Sequence, residues 1–171
     1  MATDAKIPQP HRSPPNARSV SVAGLEMIKR CVPFSATRRG TPGALQTIGY
    51  GHFLRPADAG LRVVDDALAT QLLREDLRCI EIYLNATVRV LLEQHEFDAL
   101  ASLVFDVGMR TYERSFLRNA INAGDREEAG RLLMRWEMPG NTNPARRSAE
   151  AMLFLHGSGA LVETTTTGQQ P

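Results

Sequence analysis

The side chains in this sequence that combine useful chemistry with a distinctive spacing stand in one short stretch, Thr47 to His52. The stretch carries a hydroxyl at Thr47, a phenol at Tyr50 and an imidazole at His52, set among apolar residues and two glycines. The alternation predicts a β-strand with one buried face. Two glycines two positions apart indicate a close approach of another segment, or backbone angles that a Cβ would forbid.

Metal chemistry is not indicated by the histidines and cysteines. His95-Glu96 begins like the helix of a zinc protease, but position 99 is alanine where the second histidine would stand. We therefore predict no metal and no cofactor. Cys31 and Cys79 lack Cys-x-x-Cys spacing, so buried free thiols are expected, with a disulfide left open as the alternative.

Length and composition restrict the class of protein. A chain of 171 residues fits one domain with a real core, and its 43% hydrophobic and 23% charged residues are ordinary for a globular protein. A net charge of +1 provides no field to attract nucleic acid or anionic lipid. With no apolar run of membrane-spanning length and no hydrophobic signal region, we expect a cytoplasmic monomer that inserts into no membrane.

A first helix and a small β portion must position the Thr47 stretch. Ser21 is the predicted cap of that helix, and Pro33 ends it, because the residue before a proline avoids the α region. Residues 34 to 54 form the β portion, a hairpin in which Thr41-Pro42-Gly43 makes a turn of type II geometry.

Helices account for the rest of the chain. Asp65 or Asp66 opens a long helix with a leucine-rich buried stripe. The segment from Phe97 to Val107 is apolar on most faces, so it is the predicted central helix of a bundle. Asn143, followed by Pro144, starts the last helix.

These elements predict an α+β fold in which a small hairpin-bearing lobe is joined by the long helix to a helical bundle. The domain is predicted to span residues 20 to 157. A proline-rich, disordered arm (residues 1 to 19) precedes it, and a flexible tail (residues 158 to 171) follows it. A cleft between two such lobes is a natural ligand site.

Nine local sequences, kept in one order over roughly residues 20 to 156, are shared with a known family. They are Gly24–Lys29, Thr47–His52, Leu73–Leu77, Phe97–Leu100, Phe105–Gly108, Arg114–Leu117, Asn122–Asp125, Arg135–Trp136 and Arg146–Glu150. Together they resemble the phage-type lysozymes, or endolysins, of glycoside hydrolase family 24. The resemblance implies a lysozyme-like fold and a muramidase that hydrolyses the β-1,4 bond in bacterial peptidoglycan.

The resemblance also implies a catalytic trio of a glutamate, an aspartate and a threonine. The family's spacing places these three at Val32, Thr41 and Thr47, so the threonine alone is retained. Hydrolysis needs a carboxylic acid to protonate the leaving oxygen, and valine carries no proton. Pro33 also replaces the glycine of the family. The chain is therefore a divergent member by resemblance, with catalysis predicted to be impaired.

Two other acids are candidates for a relocated catalytic group. Asp106 replaces the family's asparagine near the cleft floor, although a capping or ion-paired acid is the favoured interpretation. Glu26 lies six residues before Val32, about 120° around the helix. The alternatives to an impaired, peptidoglycan-binding protein are thus an active muramidase using such an acid, or a non-enzymatic protein-interaction module.

The resemblance suggests Tyr50, His52 and Arg147 as contacts to peptidoglycan glycan strands, the predicted partner. For His52, pairing with an acid across the lobe interface is the favoured alternative. Arg146 and Arg147 either meet anionic peptidoglycan or are solvated. As encoded, the chain would reach the cell wall only by holin-type release or another export route.

Overall fold

The computed structural model describes residues 17–41, 45–136 and 143–157. Within these residues the chain forms one helix, a three-stranded sheet, a 3₁₀ turn and then further helices. In chain order the elements are α1 (Val22–Cys31), β1 (Ser35–Arg39), β2 (Thr47–Gly49), β3 (His52–Phe53), the 3₁₀ turn (Pro56–Asp58), α2 (Asp66–Thr87), α3 (Gln94–Val107), α4 (Met109–Glu113), α5 (Phe116–Ala123), α6 (Arg126–Met134) and α7 (Pro144–His156).

Helix α1 begins and ends where local sequence predicts. The hydroxyl of Ser21 accepts from the backbone N–H of Gly24 at 3.1 Å and caps the helix. At the other end Val32 is extended, with ψ of 113°, and Pro33 follows. Ser21 also donates from its backbone N–H to Asp98 Oδ1 at 2.9 Å, which ties α1 to α3.

The β lobe differs from the predicted hairpin. The sheet has three antiparallel strands in the order β1-β2-β3. The Thr47–His52 stretch is not one strand but two, because a turn at Tyr50-Gly51 separates β2 from β3. Ile48 pairs with His52 across that turn. Of the predicted Thr41-Pro42-Gly43 turn, only Thr41 lies within the described residues.

The two glycines explain why the strand breaks. Gly49 has φ of 63° and Gly51 has φ of 83°, angles that side-chain-bearing residues rarely adopt. A Cβ on Gly49 would also lie 2.8 Å from the Cβ of Ala69, so β2 approaches α2 closely there. Both reasons predicted for the glycines, unusual backbone angles and a close approach of another segment, are therefore confirmed. The prediction that they lie in one continuous strand is wrong.

The helical predictions are confirmed in most respects. Asp65 caps α2 by accepting from Leu68 N–H at 2.8 Å, and Asn143 caps α7, with Pro144 in its first turn. Helix α3 is central, since even its polar residues Asp98 and Ser102 are buried. Sequence reasoning missed the short helix α4. The α+β architecture, a small sheet lobe joined through α2 to a helical bundle, is as predicted.

The domain limits at residues 19 and 157 stay predictions. Next to the first of them, the side chain of Asn85 clamps the backbone of Arg18, accepting from its N–H at 3.1 Å and donating to its carbonyl at 2.8 Å. Gln94 donates to the carbonyl of Ser19 at 2.9 Å. These contacts fasten the start of the described chain to α2 and α3.

Candidate functional site

A cleft of about 550 Å³ lies between the sheet lobe and the bundle. The end of α1, strands β2 and β3, and helices α2, α3, α4 and α7 all contribute to its walls. The lining residues are Val32, Thr47, Gly51, Phe53, Arg55, Asp76, Cys79, Ile80, Val104, Phe105, Asp106, Gly108, Met109 and Arg146.

The structure brings two of the three trio positions to this cleft. Val32 and Thr47 both line it, whereas Thr41 is exposed and is not among the lining residues. Val32 Cγ1 lies 3.6 Å from the point that a Cβ on Gly51 would occupy. The corner at which the resemblance places a catalytic glutamate is therefore an apolar wall.

Asp106 also lines the cleft, and it belongs to a buried charge cluster. We define this cluster as Asp106, Arg146, Arg147, Glu150 and Ser102. Arg146 donates to Asp106 Oδ1 at 3.2 Å and to Glu150 Oε1 at 2.9 Å. It also donates to the carbonyl of Ser102 at 2.7 Å. Arg147 donates to the second oxygens of both Asp106 and Glu150.

The cluster decides three predictions. Asp106 is the ion-paired acid that was the favoured interpretation. Of the two alternatives for Arg146 and Arg147, solvation is wrong, because their side chains are 4% and 2% exposed. A buried guanidinium requires such partners. Arg147 therefore belongs to the interior of the bundle rather than to a glycan-binding surface.

A second carboxylate, Asp76, lines the cleft from α2. Its Oδ2 lies 2.8 Å from His52 Nδ1, and its Oδ1 accepts from Arg55 at 2.9 Å. The predicted pairing of His52 with an acid across the lobe interface is thus confirmed. Sequence reasoning did not place Asp76 in the cleft. Asp76 lies three residues before Cys79 and four before Ile80. This spacing could have placed it in the cleft, because such residues share a helix face.

Tyr50 also joins the lobes. It is buried, and its hydroxyl donates to Asp66 Oδ1 at the start of α2, while the Lys29 ammonium stands 5.0 Å from the ring centroid. The hydrogen bond to Asp66, followed by burial, raises the pKa of Tyr50. The same bond is the main reason why the pKa of Asp66 is lowered.

Several predicted site residues therefore lie outside the cleft. Tyr50, His52 and Arg147 are not among its lining residues. Glu26 is half-exposed, pairs with Lys29 at 3.7 Å and does not line the cleft either. Cys79 is exposed on the cleft wall, so its predicted burial is wrong, while Cys31 is half-buried; both thiols are free.

What remains of the lining is mainly apolar. Six side chains supply it: Val32, Phe53, Ile80, Val104, Phe105 and Met109. Among the lining residues in the described part of the chain, both carboxylates are already hydrogen-bonded to arginine. The cleft can pack against the apolar faces of a ligand, but it presents no unpaired carboxylic acid.

The described residues contain neither a metal-binding cluster nor a membrane-spanning helix. His, Cys, Asp and Glu side chains nowhere gather in a group of three or more able to hold a metal ion. None of the helices in the described ranges has both the length and the apolar character needed to cross a membrane.

Sequence comparison relates the chain to phage lysozymes and endolysins. The family model described as "Phage lysozyme" matches residues 33–150. An endolysin of Acyrthosiphon pisum secondary endosymbiont phage 1 is 33% identical over 145 residues, which are 79% of this chain and 97% of that protein. The endolysin of Salmonella phage P22 is 31% identical over 124 residues, 68% of this chain and 82% of that protein.

Solved structures agree with this assignment. The muramidase domain of SpmX from Asticaccaulis excentricus has a TM-score of 0.71 at 32% identity, covering 80% of this chain and 97% of that one. A mutant of P22 lysozyme has a TM-score of 0.72 at 26% identity, covering 81% of this chain and 99% of that one. With a family match over more than half its length and a lysozyme-like α+β fold, the chain belongs to the phage lysozyme family.

Proposed function

We propose that this protein holds a glycan strand of bacterial peptidoglycan in the cleft between its lobes and cleaves it poorly or not at all. One observation carries the proposal. Thr47 and Val32 both line the cleft, and the resemblance assigns to position 32 the acid that would protonate the leaving oxygen, where valine has no proton to give.

The impairment follows from the chemistry of the remaining carboxylates. General acid catalysis contributes on the order of 10²–10⁴ in rate, and it requires a proton on the donor. Both oxygens of Asp106 accept from guanidinium groups, and one oxygen of Asp76 does the same. These oxygens are thus engaged as hydrogen-bond acceptors within the protein, which does not suit them to donate a proton to a glycosidic oxygen.

The lining supports retained binding. A volume of about 550 Å³ lies within the range of ligand pockets. Phe53 at the rim is 57% exposed, and Phe105 lies deeper in the wall. Aromatic and aliphatic side chains of this kind can pack against the C–H faces of sugar rings.

Purified sacculi test both halves of the proposal. We expect the protein to pellet with sacculi while releasing few or no soluble muropeptides, with an active phage lysozyme as the positive control. Release at the rate of the control would contradict the impairment. Failure to pellet would contradict glycan binding and point to a protein-interaction module.

A pair of surface substitutions locates the binding site. Phe53→Asp changes an exposed side chain on the cleft rim, and Phe116→Asp changes one on α5 that is 80% exposed and outside the cleft. We expect the first to weaken pelleting and the second to leave it unchanged. Equal effects of the two would argue against binding in the cleft.

An active muramidase with a relocated acid is the second candidate, and the position of Asp106 in the cleft is the observation that favours it. If muropeptides are released, Asp106→Asn and Glu26→Gln should each be assayed. Loss of release in a variant that still folds would support this candidate, and release that survives both substitutions would contradict it.

We also propose that the protein is a monomer and that it stays in the cytoplasm until holin-type release.

A further inference from the structure

A basic and apolar patch lies along β1, at the edge of the sheet opposite β3. We call it the β1 patch and define it by Arg38, Arg39, Leu45, Arg62 and Val63. Val63 forms an antiparallel bridge with Thr37 of β1, and Arg38 and Arg62 flank that bridge. Leu45 lies beside Gly40, since its carbonyl oxygen is 2.9 Å from the point that a Cβ on Gly40 would occupy. None of the five patch residues lines the cleft.

The sheet lobe concentrates positive charge that the chain as a whole does not show. Between residues 33 and 64 the sequence has four arginines and one aspartate, whereas the net charge of the whole chain is +1. The rest of the chain therefore carries a small negative charge. Charges separated by more than a Debye length, about 10 Å, are largely screened. A ligand at the β1 patch thus responds to the local charge rather than to the total.

The acids nearest to the β1 patch in the sequence have partners elsewhere. Asp58 accepts from a backbone N–H at 2.8 Å and lies 3.4 Å from His52 Nε2. Asp65 caps α2, and Asp66 pairs with Lys29 at 3.2 Å. None of these three carboxylates pairs with an arginine of the β1 patch, so none of them cancels its charge.

The structure holds two of the positive charges opposite each other. Arg38 is fixed in place, because its Nε donates to the carbonyl of Leu61 and its Nη2 to the carbonyl of Ala59, each at 2.7 Å. Arg62 stands across the antiparallel bridge from Arg38. Like charges directly opposite on paired strands are destabilising, and a bound anion would relieve this repulsion.

Two aliphatic side chains stand beside these arginines. Leu45 is 78% exposed and Val63 is 67% exposed. Exposed aliphatic groups gain nothing from a soluble polyanion, whereas they leave water when they enter the apolar part of a membrane surface. The combination of arginine with exposed aliphatic side chains therefore favours an anionic lipid surface over a soluble polymer.

Exposed arginines elsewhere lack this combination. Arg74 and Arg78 on α2 are exposed as well, but Glu75, Asp76 and Glu81 lie within three residues of one or the other. Exposure of an arginine is therefore not what distinguishes the β1 patch. The local excess of positive charge and the adjacent aliphatic side chains distinguish it.

We propose that the β1 patch docks the protein on a membrane surface that contains anionic phospholipids. Arg39 and Arg62, both exposed, contact the lipid phosphates, and Leu45 and Val63 enter the headgroup region. Docking of this kind needs no membrane-spanning helix. It also leaves the cleft open, because the two sites share no residue. The inference goes beyond the proposed function and does not depend on it.

Co-sedimentation of the full chain with lipid vesicles tests the inference. One set of vesicles contains phosphatidylcholine alone, and the other contains equal parts of phosphatidylcholine and phosphatidylglycerol. We expect binding to the mixed vesicles only, with most of it lost when the salt concentration rises from about 0.05 M to about 0.5 M. No binding to the mixed vesicles, or equal binding to both sets, would overturn the inference.

Matched double variants locate the contact. Arg39→Gln with Arg62→Gln should weaken binding about twenty-five-fold, because each arginine near an anionic membrane surface contributes about fivefold. Arg74→Gln with Arg78→Gln removes the same charge from an exposed face of α2 and should change binding little. Equal effects of the two double variants would show that the β1 patch is not the contact.

Polyphosphate separates a lipid surface from a soluble polyanion. Leu45→Ser with Val63→Ser keeps every arginine and should still weaken binding to the mixed vesicles about tenfold. Full binding by this variant, together with complete competition by polyphosphate, would assign the β1 patch to a soluble polyanion and overturn the membrane inference.

Discussion

Arg146 Nη1 donates to Asp106 Oδ1 at 3.2 Å, and both residues line the cleft together with Val32. Through this bond the buried charge cluster is balanced, with Arg146 and Arg147 against Asp106 and Glu150. The cluster therefore needs no further acid at position 32, just after α1. Because Asp106 already supplies the second negative charge of the cluster, an apolar residue at position 32 leaves the cluster neutral.

Removing Asp106 should destabilise the fold. Asp106→Ala leaves two buried guanidinium groups with Glu150 as their single carboxylate partner, and the expected loss is about 3 kcal/mol of unfolding free energy. Urea denaturation measures it. Glu127→Ala breaks a pair in which the glutamate is 87% exposed, so it should change little. Similar losses in the two variants would show that burial of the cluster does not matter.

If the proposed impairment comes from positions 32 and 41, acids placed there should increase hydrolysis. A variant with Val32→Glu, Pro33→Gly and Thr41→Asp should release muropeptides at least about a hundredfold faster than the parent chain. Because the cluster is already neutral, a glutamate at 32 would add an unbalanced negative charge. We therefore expect a larger gain when Asp106→Asn is added.

The control for this experiment is the Thr41→Asp variant alone, which should stay at the parent rate. A folded, sacculus-binding variant that carries all four substitutions and releases nothing would contradict the explanation. Valine and threonine at positions 32 and 41 would then not account for the proposed impairment.

Loss of the hydroxyl should change the unfolding free energy in opposite directions at the two buried tyrosines, Tyr112 and Tyr50. The Tyr112 hydroxyl is buried and has no hydrogen-bond partner among the described residues, and burial strongly raises its pKa. Tyr112→Phe should raise the unfolding free energy by about 1 kcal/mol, because an unsatisfied polar group is removed. Tyr50→Phe removes the hydrogen bond to Asp66 and should lower the unfolding free energy. Thermal and urea unfolding of both variants give the comparison, and stabilisation by Tyr50→Phe would contradict it.

The protein should lose stability at acidic pH because the Asp66 carboxylate takes up a proton. Hydrogen bonds from Tyr50 and Lys29 hold the pKa of this carboxyl below its ordinary value of 3.8. The unfolded chain therefore binds the proton more readily, and the stabilisation present above pH 3.8 is lost as the pH falls through the folded-state pKa. Asp66→Asn should flatten this part of the pH profile, whereas Glu127→Gln should not. If the loss of stability at acidic pH is unchanged in Asp66→Asn, other titrating groups cause that loss.

Much of the fold was predictable because its signals are local. Ser21, Asp65 and Asn143 cap helices through bonds to backbone three residues away. The break at Tyr50-Gly51 was missed, although the glycines were recognised as permitting unusual angles. Alternation alone cannot distinguish one strand from two short strands joined by a tight turn.

The sequence by itself determined most of the elements and the resemblance to the family, since both depend on residue type at short spacing. Only the tertiary structure decided that Asp106 joins Arg146 and Arg147, which are 40 and 41 residues away. It also decided that Asp76 faces the cleft and that Arg62 stands opposite Arg38 across one β-bridge. A charged side chain is exposed by default and buried only with a partner. Finding that partner depends on how distant helices pack, which local spacing does not encode.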